Sequence, residues 1–455
     1  MAGLTAQQKA TLRKSSPTAV ARALGRTRKH LEAGVWLSKS NKYKTLTVKR
    51  AERDLSAGKV REGELKQYIA ASALPHCTDG WSFLGRAINA HQTGHPGAAL
   101  HFGYYAELRA AMSFLATRGV GIFDKRHCIL VQPRPPRAGR PKPPSCLDLP
   151  LRGTHQVTWR ALEYWGNVSA FGPSDLLLRV ISPAGIQLRD WIAEFGGSIP
   201  GWLGKKWLKN WGIDLKQFAE DRNARNQVSY RPADLNQTAF IHAAAASSFL
   251  IDFWSLFEPS GSRFDTLDRH VLRSSLEDVF LGRTGMNARG NARYEQDVRT
   301  MLGALTPPGP QEGWLNFLTR REAGVTPRLL TLAETKSRLD DPEHHLQVVS
   351  RAALLLRLAT GACELLKREV ALAREDLSFW WGSLGTRRGL WSPGNEPQNC
   401  VDLWGDVGVA IDDERTWLNA NAATNPPYLK WKNDRAQGLA ILGECERIGL
   451  WGLGF

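Results

Sequence analysis

Cysteine is scarce in this chain. Six residues, Cys77, Cys128, Cys146, Cys363, Cys400 and Cys445, are scattered over 455 positions, and no two form a C-x-x-C pair. That spacing excludes a disulfide framework and removes the usual ligand pattern of a structural zinc site. Long hydrophobic runs are also lacking, because charges, glycines or prolines interrupt each apolar stretch before the roughly 18–20 residues that a membrane span needs. The N-terminal stretch MAGLTAQQKATLRKSS is basic but has no apolar core of the kind a secretory signal carries. The familiar chemical motifs are missing: there is no G-x-x-x-x-G-K-[ST], no G-x-G-x-x-G after a strand, no G-x-S-x-G and no H-E-x-x-H. Nothing in the sequence implies a nucleotide cofactor or a catalytic metal. The expectation is a cytoplasmic protein that does not enter a membrane.

What is present is an ordinary globular composition, 42% hydrophobic and 23% charged, with an uneven distribution of charge. The net charge is +16, and residues 1–66 hold 16 Lys/Arg against 5 Asp/Glu. A basic N-terminal arm on a near-neutral body is the electrostatic footprint of a protein that meets a polyanion, with nucleic acid as the expected partner. Arg26, Arg28, Lys29, Lys42, Lys44, Lys49 and Arg50 are the arm residues assigned to that contact. A solubilising tail, or an arm for an acidic protein partner, would carry the same charge.

The periodicity is mostly helical. Ser15-Ser16-Pro17 has the form of a cap followed by proline at a helix start, and residues 49–66 have the pattern of a salt-bridged helix. His95-Pro96 opens a helix in which Leu100, Tyr104, Leu108, Met112 and Leu115 share a face, ended by Gly119. GVGIF (119–123) and HCILVQ (127–132) predict a β-hairpin. Six prolines and four basic residues in PRPPRAGRPKPP (133–144) predict an extended, exposed loop. Short helices follow to about residue 376, and 341–374 is the longest periodic stretch. His344 and His345 follow Asp340-Asp341 there; adjacent helical residues diverge by about 100°, so the pair reads as a helix start, not as two ligands of one metal. Seven of the 17 tryptophans fall in 380–455, where the pattern predicts irregular loops tied by aromatic anchors, then a short terminal helix and a docked apolar tail around Trp451 and Phe455.

One stretch stands out: AEDRNARNQVSYRP (219–232), where Arg222, Arg225, Arg231, Asn223, Asn226, Ser229 and Tyr230 crowd the end of a helix. Together with the tyrosine-bearing helix GYYAELRAAMSFLATRG (103–119), it resembles the HEPN superfamily, small helical domains of bacterial defence and toxin systems, many of them metal-independent ribonucleases. In that family a helix ends in Arg, a polar residue that is often Asn, a few residues, then His. Here Arg225-Asn226 matches the first two, and Tyr230 stands where the family has His. The resemblance covers about residues 75–260. It implies a catalytic set of Arg225, Tyr230 and Glu107, with Arg222, Asn226 and Arg231 on the nucleic acid.

The family chemistry needs a base for the 2′-hydroxyl proton, an acid for the leaving oxygen and positive charge on the phosphorane. Arg225 suits the last of these, in bidentate fashion. A tyrosine, with an ordinary pKa near 10, is a poor base at neutral pH, but it donates a hydrogen bond or stacks on a base. Capping and the helix dipole alone also account for much of an Arg- and Asn-rich helix end. On the 98–118 helix Glu107 falls at the edge of the apolar stripe and is expected to reach water, with Arg109 on the solvent side and His101 in the core.

The fold expected is therefore mainly α: a basic arm (1–66), a HEPN-like helical domain with a hairpin insertion (72–260), a further helical domain (261–376) and an irregular Trp/Gly-rich lobe (377–455). Two functions fit. One is a nucleic-acid-binding protein of bacterial antiviral defence with a degenerate or metal-independent ribonuclease site. The other is a non-enzymatic adaptor that presents RNA or DNA to a partner enzyme, docking it through the Trp-rich lobe. Homo-oligomerisation is left open.

Overall fold

The computed structural model describes residues 3–132, 143–167, 173–196, 220–226, 242–259, 264–321, 326–336, 341–421, 423–424 and 426–453. Residues 133–142 of the proline-rich run, Tyr230, Arg231 and Phe455 lie outside these. The fold is mainly α with one small antiparallel sheet.

The N-terminal segment forms α1 (Ala6–Leu12), α2 (Pro17–Gly25), α3 (Arg28–Glu32) and α4 (Thr47–Ala57). The Ser16 hydroxyl accepts from the Ala19 amide and Pro17 occupies the first turn, the start that the sequence predicts. This basic segment is folded onto the body. Val20, Leu24 and Ala51 are buried, and α2 lies against α5 (Glu62–Gln92). Helix α5 runs unbroken past residues 66–72, where the composition changes, and carries Pro75 in its interior.

Helix α6 (Pro96–Thr117) packs antiparallel in sequence order after α5, and both meet the long helix α16 described below. β1 (Val120–Gly121) and β2 (Arg126–Leu130) form the predicted hairpin, and β3 (Cys146–Pro150) adds a third strand on β2 in antiparallel register, Cys128 facing Asp148. Then follow α7 (Thr154–Asn167), α8 (Pro173–Val180), α9 (Leu188–Gly196), a short helix α10 over 220–226, α11 (Ala243–Leu256), α12 (Asp265–Thr284), α13 (Ala292–Leu305), α14 (Gln311–Thr319) and α15 (Arg328–Glu334). α16 (His344–Glu369) is long and apolar enough to cross a membrane by length and composition, which the run-by-run reading of the sequence overlooks; its apolar window is entirely buried inside the protein, so here it is the central core helix.

The C-terminal region corrects one expectation. Its Trp- and Gly-rich sequence is largely helical: α17 (Ser378–Arg388), α18 (Cys400–Asn421), α19 (Tyr428–Asp434), α20 (Ala436–Leu442) and α21 (Glu446–Leu453). The local cue is a cap, since the Asp402 amide donates to the Asn399 side-chain oxygen at 3.0 Å. Trp381, Trp391, Trp417, Trp431 and Trp451 are all buried within the chain, and Trp451 packs edge-on against Trp254 and Trp404. As far as Leu453 the tail therefore docks on its own body, and these tryptophans are not displayed to a partner.

Close approach holds α5, α6 and α16 together. Ser113 of α6 donates to the Ala73 carbonyl at 2.8 Å, and Trp81 of α5 donates to Thr360 of α16 at 3.0 Å. At Gly80 an added Cβ would come within 2.5 Å of Leu356 Cδ2, so any larger residue would require the Leu356 side chain to shift. Because α16 covers a second face of α6, that helix is buried nearly all round, Ala106, Ala110 and Phe114 included.

Candidate functional site

This second covered face is what buries Glu107. The sequence places Glu107 at the edge of a single stripe, but the side chain is 1% exposed and meets Arg351 of α16, whose Nε donates to Glu107 Oε1 at 3.3 Å. Arg351 also donates through Nη2 to Asp221 Oδ2 of α10 at 2.7 Å, and Asp221 Oδ1 accepts from His344 Nε2 at 2.9 Å. All four side chains are buried. One guanidinium thus bridges two carboxylates from helices far apart in sequence.

Two carboxylates share one arginine in a buried site, where a negative charge that is not compensated is costly unless a proton neutralises it. Burial pushes the Glu107 carboxyl well above its ordinary 4.5; Arg351 opposes the rise and Asp221 reinforces it. Glu107 Oε2 has no hydrogen-bond partner among the described residues, in keeping with a carboxyl that holds the proton. A raised carboxyl pKa contributes stability that is complete below about 4.5 and is lost as pH rises toward the folded-state value. Glu107→Gln, which cannot ionise, is accordingly expected to gain stability relative to wild type between pH 5 and pH 8, as read by urea midpoints. A variant that loses ground over that interval would contradict the assignment.

Above this network lies an aromatic and basic layer. The Arg225 guanidinium sits 5.3 Å from the Tyr104 ring centroid and 5.5 Å from that of Tyr105, within cation–π reach. Tyr104 is buried; its hydroxyl accepts from Trp159 Nε1 at 3.3 Å and shares a 3.0 Å hydrogen bond with His155 Nδ1. Burial raises the Tyr104 hydroxyl to about 12. Burial, then Arg225 and Arg222, lowers His155 to about 4, so its ring is neutral at physiological pH. His101 is half-buried, not a full core residue, with its ring 5.1 Å from that of Tyr105; burial and then Arg225 lower its pKa.

Of the residues singled out in the sequence, Arg225, Arg222, Asn226 and Glu107 gather on two neighbouring helices. Arg225 and Glu107 belong to one cluster but make separate contacts, Arg225 on the tyrosines and Glu107 on Arg351. Tyr230 and Arg231 lie outside the described residues. Arg109 is half-exposed and donates to His76 at 3.0 Å. In the N-terminal segment Lys42 pairs with the buried Asp54, Arg50 donates to the Lys42 carbonyl at 2.6 Å, and Arg28 lies 3.5 Å from Asp376. Arg26, Lys29, Lys44 and Lys49 are exposed. The sequence reading misses Arg351, Asp221, His155 and Trp159; only Asp221 carried a signal, lying inside the stretch 219–232.

His344 and His345 diverge as their adjacency requires. His344 turns to Asp221, and His345 Nε2 meets His91 Nδ1 at 3.1 Å, both rings of that pair held neutral by burial. Among the described residues no three His, Cys, Asp or Glu side chains come together as metal ligands. No family model, curated protein or solved structure matches the chain.

Proposed function

We propose that the protein binds nucleic acid, in the manner of HEPN-type components of bacterial antiviral defence acting in the cytoplasm, and that Arg225 is the phosphate contact of its site. The observation that carries this reading is the convergence of Arg225 with Tyr104, Tyr105, His101 and His155: a guanidinium held over aromatic rings, of which the half-buried Tyr105, His101 and His155 suit unpaired bases. Arg222 on the same helical segment adds a second positive charge. The buried Asp221–Arg351–Glu107 network anchors α10, and so fixes where Arg225 stands.

Binding is favoured over cleavage by the proton affinities nearby. A hydroxyl at about 12 and an imidazole at about 4 are both far from the neutral range in which general acid–base pairs work best. An adaptor role, in which this chain holds RNA or DNA for a partner enzyme, is compatible with that chemistry.

The basic N-terminal layer supplies the long-range attraction. Deleting residues 1–66 would strip buried residues such as Val20 and Leu24 from α5, so substitution is the cleaner test. Replacing Arg26, Lys29, Lys44 and Lys49 with alanine is expected to lower affinity for a single-stranded oligonucleotide and to reduce the slope of log K against log salt by roughly 0.7 for each phosphate contact removed. Fluorescence anisotropy between low and moderate salt measures both. An unchanged slope would remove the N-terminal layer from the interface.

A further inference from the structure

A cavity of about 390 Å³ lies between α8, the 182–187 turn, the start of α12, the second half of α16 and the end of α21. It shares α16 with the Arg351 network, but Arg357, at its base, is six residues further on, about 9 Å along the helix axis. Three arginines line it: Arg357, Arg179 and Arg368.

Arg357 is 3% exposed. Its Nε and Nη2 donate to Asp268 at 3.0 and 2.7 Å, and Nη2 also to the Val180 carbonyl at 2.7 Å. The guanidinium stands 4.4 Å from the Phe264 ring centroid. Nothing among the described residues hydrogen-bonds Nη1. A Cβ on Gly361 would come within 2.9 Å of that nitrogen and 2.7 Å of Val180 Cβ, so glycine keeps this side of the guanidinium uncovered. Arg179 and Arg368 are exposed; Arg368 pairs with Glu364 at 3.2 Å. The result is one buried guanidinium at the base and two exposed ones around it.

We infer that this cavity binds a small phosphate ester of nucleotide size. Asp268 takes the Nε–Nη2 edge of Arg357 and the Val180 carbonyl accepts from Nη2 as well, which leaves Nη1 for a ligand oxygen. A phosphate offers enough acceptors for Arg179 and Arg368 to join it, which a carboxylate does less well. The volume exceeds what an inorganic ion fills and lies in the range of small-molecule sites, and Val180, Phe264 and Leu365 give an apolar wall for an organic part.

The test is calorimetric titration of the full chain with adenosine 5′-monophosphate, adenosine and inorganic phosphate. The monophosphate is expected to saturate one site, with adenosine and phosphate each at least tenfold weaker. Arg179→Ala combined with Arg368→Ala, both surface changes, should weaken monophosphate binding at least tenfold while the ligand-free melting temperature and the binding of single-stranded RNA stay as in wild type. Absence of saturable monophosphate binding, equal binding of adenosine, or undiminished binding by the double variant would overturn the inference.

Discussion

Arg351→Ala is expected to destabilise the protein by about 3–5 kcal/mol, the scale seen when one partner of a buried ion pair is removed. The reason is specific to this site. Arg351 is the cation that Glu107 and Asp221 share, and truncating it takes a guanidinium partner from Asp221 in a pocket where that carboxylate is 0% exposed. It also leaves a cavity where the guanidinium stood, between α6, α10 and α16. The charge component can be separated from the packing component. Arg351→Met combined with Asp221→Asn and Glu107→Gln keeps volume and removes charge, so it should recover much of the loss. Urea unfolding of the single and triple variants measures both. A loss for Arg351→Ala below about 1 kcal/mol, the value of a solvated surface pair, would mean that the network is not closed to water.

Arg225→Ala should act in the opposite way, with a small effect on stability and a large one on the site. Its cation–π contacts with Tyr104 and Tyr105 are worth about 0.5–2 kcal/mol, and α10 remains held through Asp221. The electrostatic effect is local. Arg225 is the larger of two positive charges that depress His155, after burial, so its removal should move the His155 titration up from about 4 without reaching the ordinary 6.5. Proton NMR of the imidazole across pH 3–8 reads this directly. The sign for stability follows: a depressed histidine contributes stability that is lost as pH falls through 6.5, and the variant should lose less of it. An unmoved His155 would place Arg225 away from the ring.

Local signals were legible where the chain writes them locally. The Ser16–Pro17 start of α2, the α6 stripe through Leu100, Tyr104 and Leu108, the β1–β2 hairpin and the divergence of His344 from His345 are all visible in spacing and caps. Helix α5 was legible only from residue 79 on, where Trp81, Leu84 and Ile88 recur at helical spacing; its continuity back to Glu62 was not, because Pro75 falls inside it and a proline ordinarily breaks or kinks a helix. Strand β3 was missed since it joins β2 across the proline-rich run, as was the helical character of 378–421 beneath its tryptophans and glycines. The site divides in the same way. Arg225 and Glu107 were found on their helices, but their environment was not. Arg351 lies 244 residues from Glu107 and 130 from Asp221, and no periodicity within one helix shows which other helix will cover its second face. Glu107 was consequently expected in water, when it is among the most buried carboxyls of the fold.

The central claim is that Arg225 contacts nucleic acid. The most direct measurement is the affinity of full-length wild type and Arg225→Ala for one single-stranded RNA at a fixed salt concentration, with urea midpoints recorded on the same preparations. Loss of a charge-assisted phosphate contact of about 1.5–3 kcal/mol predicts at least a tenfold weaker complex, with the urea midpoint changed far less than Arg351→Ala changes it. Equal affinity of the two proteins, or a loss of affinity that only follows a loss of folding, would contradict it.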